Sequence, residues 1–163
     1  MATDNYLKIA AIKGDSKVDG HADEIELQSW SMGVSVPVGA RSSSGSGSAG
    51  TSMHADVSCM KTLDAASNDI AAACWTGATI PNAVITVQRQ GESGGGKVDY
   101  MKLTLGNVII STYQRSGGDS SVPMEQFSMN YDKIKTEYFT TGSGGESDGW
   151  QSKAWSVAEE KEI

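Results

Sequence analysis

A mainly β fold, with two sheets forming a barrel or sandwich flanked by one short α-helix, is predicted by three features of this sequence. Apolar and polar residues alternate at period two through most of the chain. The 19 glycines, against only 3 prolines, cluster between short apolar runs, as the turns of an all-β chain require. Only one stretch, over 67–76, carries helical end signals. With 163 residues and 38% hydrophobic content, the chain is large enough for one domain spanning 1–163 with a core of its own.

The elements follow in order. Tyr6–Ile12 reads as a first strand, and Ile25, Leu27 and, after a slip, Trp30 open a second that runs to about Val36, where Pro37 ends it. From Val38 to Ser52 the chain is almost entirely Gly, Ser and Ala, with Arg41 its single charge. A loop this long inside a compact domain is usually functional or disordered. Met53–Lys61 is the next strand. The helix has Ser67 as its N-cap candidate, Asp69 in the first turn and Gly77 at the C-terminus, with Ile70, Ala71, Ala73 and Cys74 on its apolar side. Ala83–Gln90 and Val98–Leu105 form a hairpin around Gly91–Gly96, and Asn107–Gln114 follows. A loop at Ser116–Ser121 leads to Met124–Tyr131, where Phe127, Met129 and Tyr131 alternate with Gln126, Ser128 and Asn130. Ile134–Thr140, a flexible Gly142–Gly149 loop and Trp150–Val157 complete about eight or nine short strands.

Several functions are disfavoured by composition and motif context. A net charge of −7 and a pI near 4.7 leave no basic stripe for nucleic acid. Met1–Tyr6 has neither the basic nor the apolar region of a secretory signal, and no run reaches the roughly 18 apolar residues of a membrane helix. The chain is therefore expected to be made in the cytoplasm, with Cys59 and Cys74 reduced and buried. Gly45–Gly50 matches G-x-G-x-x-G but lies in a serine-rich loop that leads into a strand, not a helix. Gly91–Lys97 resembles a phosphate-binding loop, but Val98 stands where magnesium needs a hydroxyl. His21, among Asp19, Asp23 and Glu24, lacks a second His or a Cys to complete a metal set, so it reads as part of a polar turn. No G-x-S-x-G elbow is present. The sequence therefore suggests no catalytic, metal or cofactor residues. Trp30 and Trp155 are expected in the core, Trp75 could equally cover the core or a neighbouring subunit, and Trp150 could be exposed.

Lys13-Gly14-Asp15-Ser16, His21, Glu24-Ile25-Glu26-Leu27 and Ser29-Trp30-Ser31-Met32-Gly33 closely resemble the start of the Hcp family, the haemolysin-coregulated proteins. The likeness continues through Leu63-Asp64, Ile70, Ala73-Cys74 and Gly77, then Tyr100–Leu105, Val108, Ile110 and Ser111. It extends over Glu125–Tyr131, Lys133-Ile134 and Tyr138. Met32 departs where an aromatic is common, and Ala154-Trp155-Ser156-Val157 alters a closing Gly-Trp-Asp/Asn-Ile pattern.

The resemblance implies a structural subunit of the type VI secretion tube, similar in architecture to phage tail-tube proteins. Its members form homohexameric rings that stack inside a contractile sheath, capped by a spike, and are expelled with it, some carrying effector proteins in the lumen. No nucleic acid or membrane insertion is implied. If Trp30 faces the core, alternation turns Ser31 to the opposite face, which the resemblance makes the channel wall and a candidate for cargo contact. Val38, Arg41, Gly45, Gly47 and Gly50 mark the loop expected to join one ring to the next. The alternatives are a monomeric ligand-binding barrel using Trp75 and Trp150, or a hydrolase whose site assembles only in space.

Overall fold

The computed structural model describes residues 3–39, 47–91, 96–141 and 147–163. The chain order is β1 (Thr3–Ile9), β2 (Ile25–Leu27), β3 (Ser29–Ser31), β4 (Val34–Ser35), β5 (Met53–His54) and β6 (Val57–Thr62). Then come α1 (Ser67–Thr76), β7 (Thr79–Gln90), β8 (Lys97–Gly118), β9 (Ser121–Asn130), β10 (Lys133–Thr141), β11 (Ser147–Ser156) and β12 (Lys161–Glu162). The mainly β class with one helix is as expected. The strand count is higher because the run beginning at Ile25 breaks into β2, β3 and β4, and 53–62 divides into β5 and β6.

The hydrogen-bonded order is β12-β11-β10-β8-β7-β1-β2, with a branch in which β8 pairs β9, β9 pairs β6 and β6 pairs β3. The path does not close on itself, because β2 and β3 are parted at Gln28, whose N–H turns to the Met60 carbonyl at 2.8 Å. The result is a sandwich, not a closed barrel.

The two sheets share β8. The expected separate strands at 98–105 and 107–114 are one 22-residue element. Residues up to Ile109 pair with β7 and those up to Gly106 with β10, while Ile109 onward pairs with β9. The corner is built locally. Asn107 sits at φ 50°, a left-handed position that asparagine tolerates, and its amide donates to Asp132 Oδ2 at 2.8 Å. The β7–β8 ladder has a gap opposite it at Pro81, which has no N–H to offer.

Alternation then fills the space between the layers. Leu7, Ile9, Ile25, Ile85, Leu103 and Leu105 from one sheet meet Val57, Cys59, Ile110, Phe127 and Met129 from the other. Trp30 and Trp155 pack against this core as expected. α1 contributes Ile70 and ends at Gly77, whose φ of 65° needs no Cβ. Its N-cap is Ala66 and not Ser67, which is the first helical residue and turns its hydroxyl inward. Cys59 is buried, Cys74 is half-buried, and both are free. Burial pushes the Cys59 thiol up to about 12, so it stays protonated and inert. Among the described residues no helix is long and apolar enough to cross a membrane.

The connection from β1 to β2 folds on itself. Gly14 N–H bonds the Asp23 carbonyl at 2.8 Å, Ser16 N–H the Glu24 carbonyl at 3.1 Å and Asp23 N–H the Ser16 carbonyl at 2.9 Å. A Cβ at Gly14 would lie 2.4 Å from the Glu24 carbonyl oxygen. Gly14→Ala is expected to cost about 1–3 kcal/mol through this backbone clash, measured by urea denaturation. Unchanged stability would mean that the loop moves aside freely.

Candidate interaction surface

The outward face of the β3-β6-β9-β8 sheet is unlike the rest of this acidic surface. In register across it lie Ser31, Ser58, Ser128 and Thr112, and beside them Ser29, Met60, Gln126 and Gln114. None of the eight is charged. Ser58 and Ser128 share a hydroxyl contact of 3.3 Å. Met60, 38% exposed, is the large apolar side chain in this array. Ser31 is exposed here, while Trp30 lies on the core side with its indole N–H bonded to Asn5 Oδ1 at 3.1 Å. Alternation assigned Ser31's face. It could not supply Ser58, Ser128 and Gln126 as its neighbours, because that needs the cross-strand register.

Both lateral edges of this sheet segment are open among the described strands. β3 has β6 on one side only, and Ser111–Gly118 of β8 has only β9. Such edges present unpaired N–H and C=O groups in a row, a template for another strand.

Beneath the same sheet lies a buried ionic cluster. Lys61 and Glu125 are fully buried and oppose each other across β6 and β9. Lys61 Nζ donates to Glu125, to Asp64 Oδ1 at 2.7 Å and to Ser67 Oγ at 3.1 Å. Glu125 also accepts from Ser67 Oγ at 2.7 Å, from the Tyr113 hydroxyl and from Arg115 Nε at 3.1 Å. Burial alone would raise the Glu125 pKa. The hydrogen bonds from Lys61, Tyr113 and Ser67 outweigh it and hold the carboxyl below its ordinary value. This cluster clamps the start of α1 to the sheet. No periodicity signals it, since Lys61 and Glu125 each look like surface charges in sequence.

The loop stem also has a defined shape. β4 and β5 pair through Val34↔His54 and Ser35↔Met53, and a bridge joins Val38 to Ala49. Gly39 N–H bonds Ser48 O at 3.1 Å, and Gly50 N–H bonds Pro37 O at 2.8 Å. The described part of the expected flexible loop is thus a narrow two-stranded ribbon, carrying exposed Val34, Val36 and Val38 at alternate positions. Val38, Gly47 and Gly50 lie in this ribbon, and Arg41 and Gly45 lie outside the described residues.

The two exposed tryptophans do not share a platform. Trp75, 80% exposed, ends α1, whereas Trp150 packs on Phe139 with ring centroids 5.3 Å apart and Lys102 Nζ 4.9 Å above its ring. His21 lies in the turn before β2, with its side chain buried between Glu24 and Asp99. No group of three His, Cys, Asp or Glu suited to a metal occurs among the described residues.

The fold of this chain is similar to that of solved type VI secretion proteins. The structure of Hcp1 from Salmonella typhimurium matches with a TM-score of 0.82 at 25% identity, covering 100% of both chains. A structure described as a type six secretion system protein matches with a TM-score of 0.88 at 25% identity, over 99% of this chain and 100% of the other. The family model described as type VI secretion system effector, Hcp, matches residues 6–138. Protein hcp1 of Pseudomonas aeruginosa is 32% identical over 160 residues, 96% of each chain. This chain belongs to the Hcp family of the type VI secretion system.

Lys61→Ala is expected to destabilise the fold by about 3–5 kcal/mol, because Glu125 is left buried without its cation. Lys61→Met with Glu125→Leu should recover most of that loss in thermal unfolding. A Lys61→Ala protein of unchanged stability would exclude the clamp. Because the folded pKa of Glu125 is depressed, its contribution is present above the ordinary glutamate range and is lost as pH falls through the folded value.

Proposed function

We propose that this chain is a non-catalytic tube subunit, one domain that closes into homohexameric rings, stacks them and holds effector proteins in the bore. The observation that carries this reading is the uncharged β3-β6-β9-β8 face, bounded by two open edges that differ from each other. A short β3 edge meeting the Ser111–Gly118 edge of the next copy is a heterologous contact. Repeated with a fixed rotation, such a contact generates a ring whose wall is a continuous sheet. The face bearing Ser31, Ser58 and Ser128 then lines the channel. Small hydroxyl side chains leave it wide, and the lack of charge leaves it indifferent to the sign of its cargo.

The ribbon serves the axial contact. Its exposed valines have no partner surface on an isolated subunit, and a second ring would cover them. In this reading the spike and the contractile sheath are the further partners. The protein is made in the cytoplasm and leaves through the type VI machine.

Light scattering on purified protein, with negative-stain images of the same fraction, should give a six-subunit ring with an open centre. A monomer at high concentration would overturn the reading in favour of a ligand-binding sandwich. Deleting Arg41–Gly50 should leave rings intact and abolish their stacking, and tubes of normal length would exclude the ribbon as the axial contact. Ser31→Gln should preserve the ring and reduce co-purification of a cargo protein. Loss of the ring would place Ser31 in a subunit interface instead.

A further inference from the structure

His21 lies in neither the uncharged face nor the ribbon. Its ring is 5% exposed and lies flat on Tyr6 of β1, with centroids 4.5 Å apart and planes within 6°. Nδ1 is 2.7 Å from Glu24 Oε2 and Nε2 is 2.9 Å from Asp99 Oδ1. Both neighbours are carboxylate oxygens, which only accept hydrogen bonds. A neutral imidazole has a single N–H, so one of its two nitrogens would turn a lone pair towards a carboxylate. Only the imidazolium can donate to both.

The surrounding charges agree with that form. Facing the ring or close to it are Tyr6 and Asp4 of β1, Glu24 at the loop end, Glu26 of β2 and Asp99 of β8. Lys97 of β8 is the nearby cation, and it is paired to Asp4. Gln88 of β7 is neutral and donates its amide to the same Asp99 oxygen at 2.7 Å. Burial works against the proton on His21, but the hydrogen bonds to Asp99 and Glu24 outweigh it and raise the pKa above 6.5.

The mechanical setting gives the proton something to control. Loop 13–24 is tied to β8 through His21–Asp99. At its other end, Asp15 Oδ2 accepts the Ala65 N–H at 3.1 Å, just before α1. The loop is therefore a strap from the β7–β8 sheet to the lead-in of the helix, and it covers the ring of Tyr6.

We propose that His21 is a proton-dependent latch: as imidazolium it fastens the strap 13–24 to Asp99, and loss of its proton releases that end. The sign follows from the raised pKa. The latch contributes its full stabilisation below the ordinary histidine value and loses it as pH rises through the folded one. The latch belongs to the single subunit and does not depend on ring formation.

The test is nitrogen-15 NMR of the histidine rings in the full chain, together with amide hydrogen exchange expressed as protection factors. His21 should titrate above 6.5, with both ring nitrogens protonated below that titration. Protection over 14–24 should fall roughly tenfold for each unit by which the pKa is raised, as pH passes through the titration. His21→Phe keeps a ring against Tyr6 and should show low protection at every pH. A His21 that titrates at or below 6.5, or wild-type protection that stays flat through the titration, would overturn the latch. Both of those readouts come from the wild type, so they stand even if the Phe variant does not fold.

Discussion

Everything in this fold depends on β8 turning a corner without ending. Its first half is an interior strand of one sheet and its second half is an edge strand of the other. Gly106 and Asn107 make the bend possible, opposite a proline that removes one rung from the ladder. If β8 ran straight, the strand from 97 to 118 would extend one flat sheet. Phe127 and Met129 would then have no opposing layer in which to bury. The corner also sets the edge at Ser111–Gly118 apart from β7, which leaves it free for another chain.

Much of this was legible in the chain because local rules and burial agree. The alternation in Met124–Tyr131 gave the correct inward and outward sets, and Gly77 marked the helix end by the conformation it adopts. The core tryptophans were identifiable from strand position alone. The misses share one cause, which is tertiary partnership. Gly106 looked like a break between strands because sequence does not reveal that a bend can be held by Asp132, far along the chain. Ser67 looked like a cap, yet its hydroxyl is claimed by Glu125, 58 residues away. His21 was read as part of a polar turn, and its burial was not legible because Asp99, its second partner, comes from another strand. Val38–Ser52 was read wholly as loop because the pairing of Val38 with Ala49 is short and its neighbours are Gly and Ser.

Among the described residues, the buried ionisable side chains Lys61, Glu125 and His21 fall in two places, and each ties a non-sheet element to a sheet. Lys61 and Glu125 hold the start of α1, and His21 and Asp99 hold the strap. They differ in character. The first holds the Glu125 carboxyl below its ordinary value, so that carboxylate stays charged at neutral pH. The second depends on a proton that histidine binds near neutrality. A β-sandwich gains little from either in net stability, since buried charges lose their hydration. What they contribute is position, because each partner is satisfied only when its element is seated.

The face carrying Ser31, Ser58, Ser128, Gln114 and Gln126 has a further consequence. A surface of hydroxyls, amides and one thioether gathers no counterion atmosphere of its own, so nothing is displaced when a second body settles on it. Screening by dissolved salt weakens contacts between charges and leaves such a surface almost untouched. A body resting there would be held with nearly the same strength in dilute and in saline media, so a change of medium would not itself be a signal to let go.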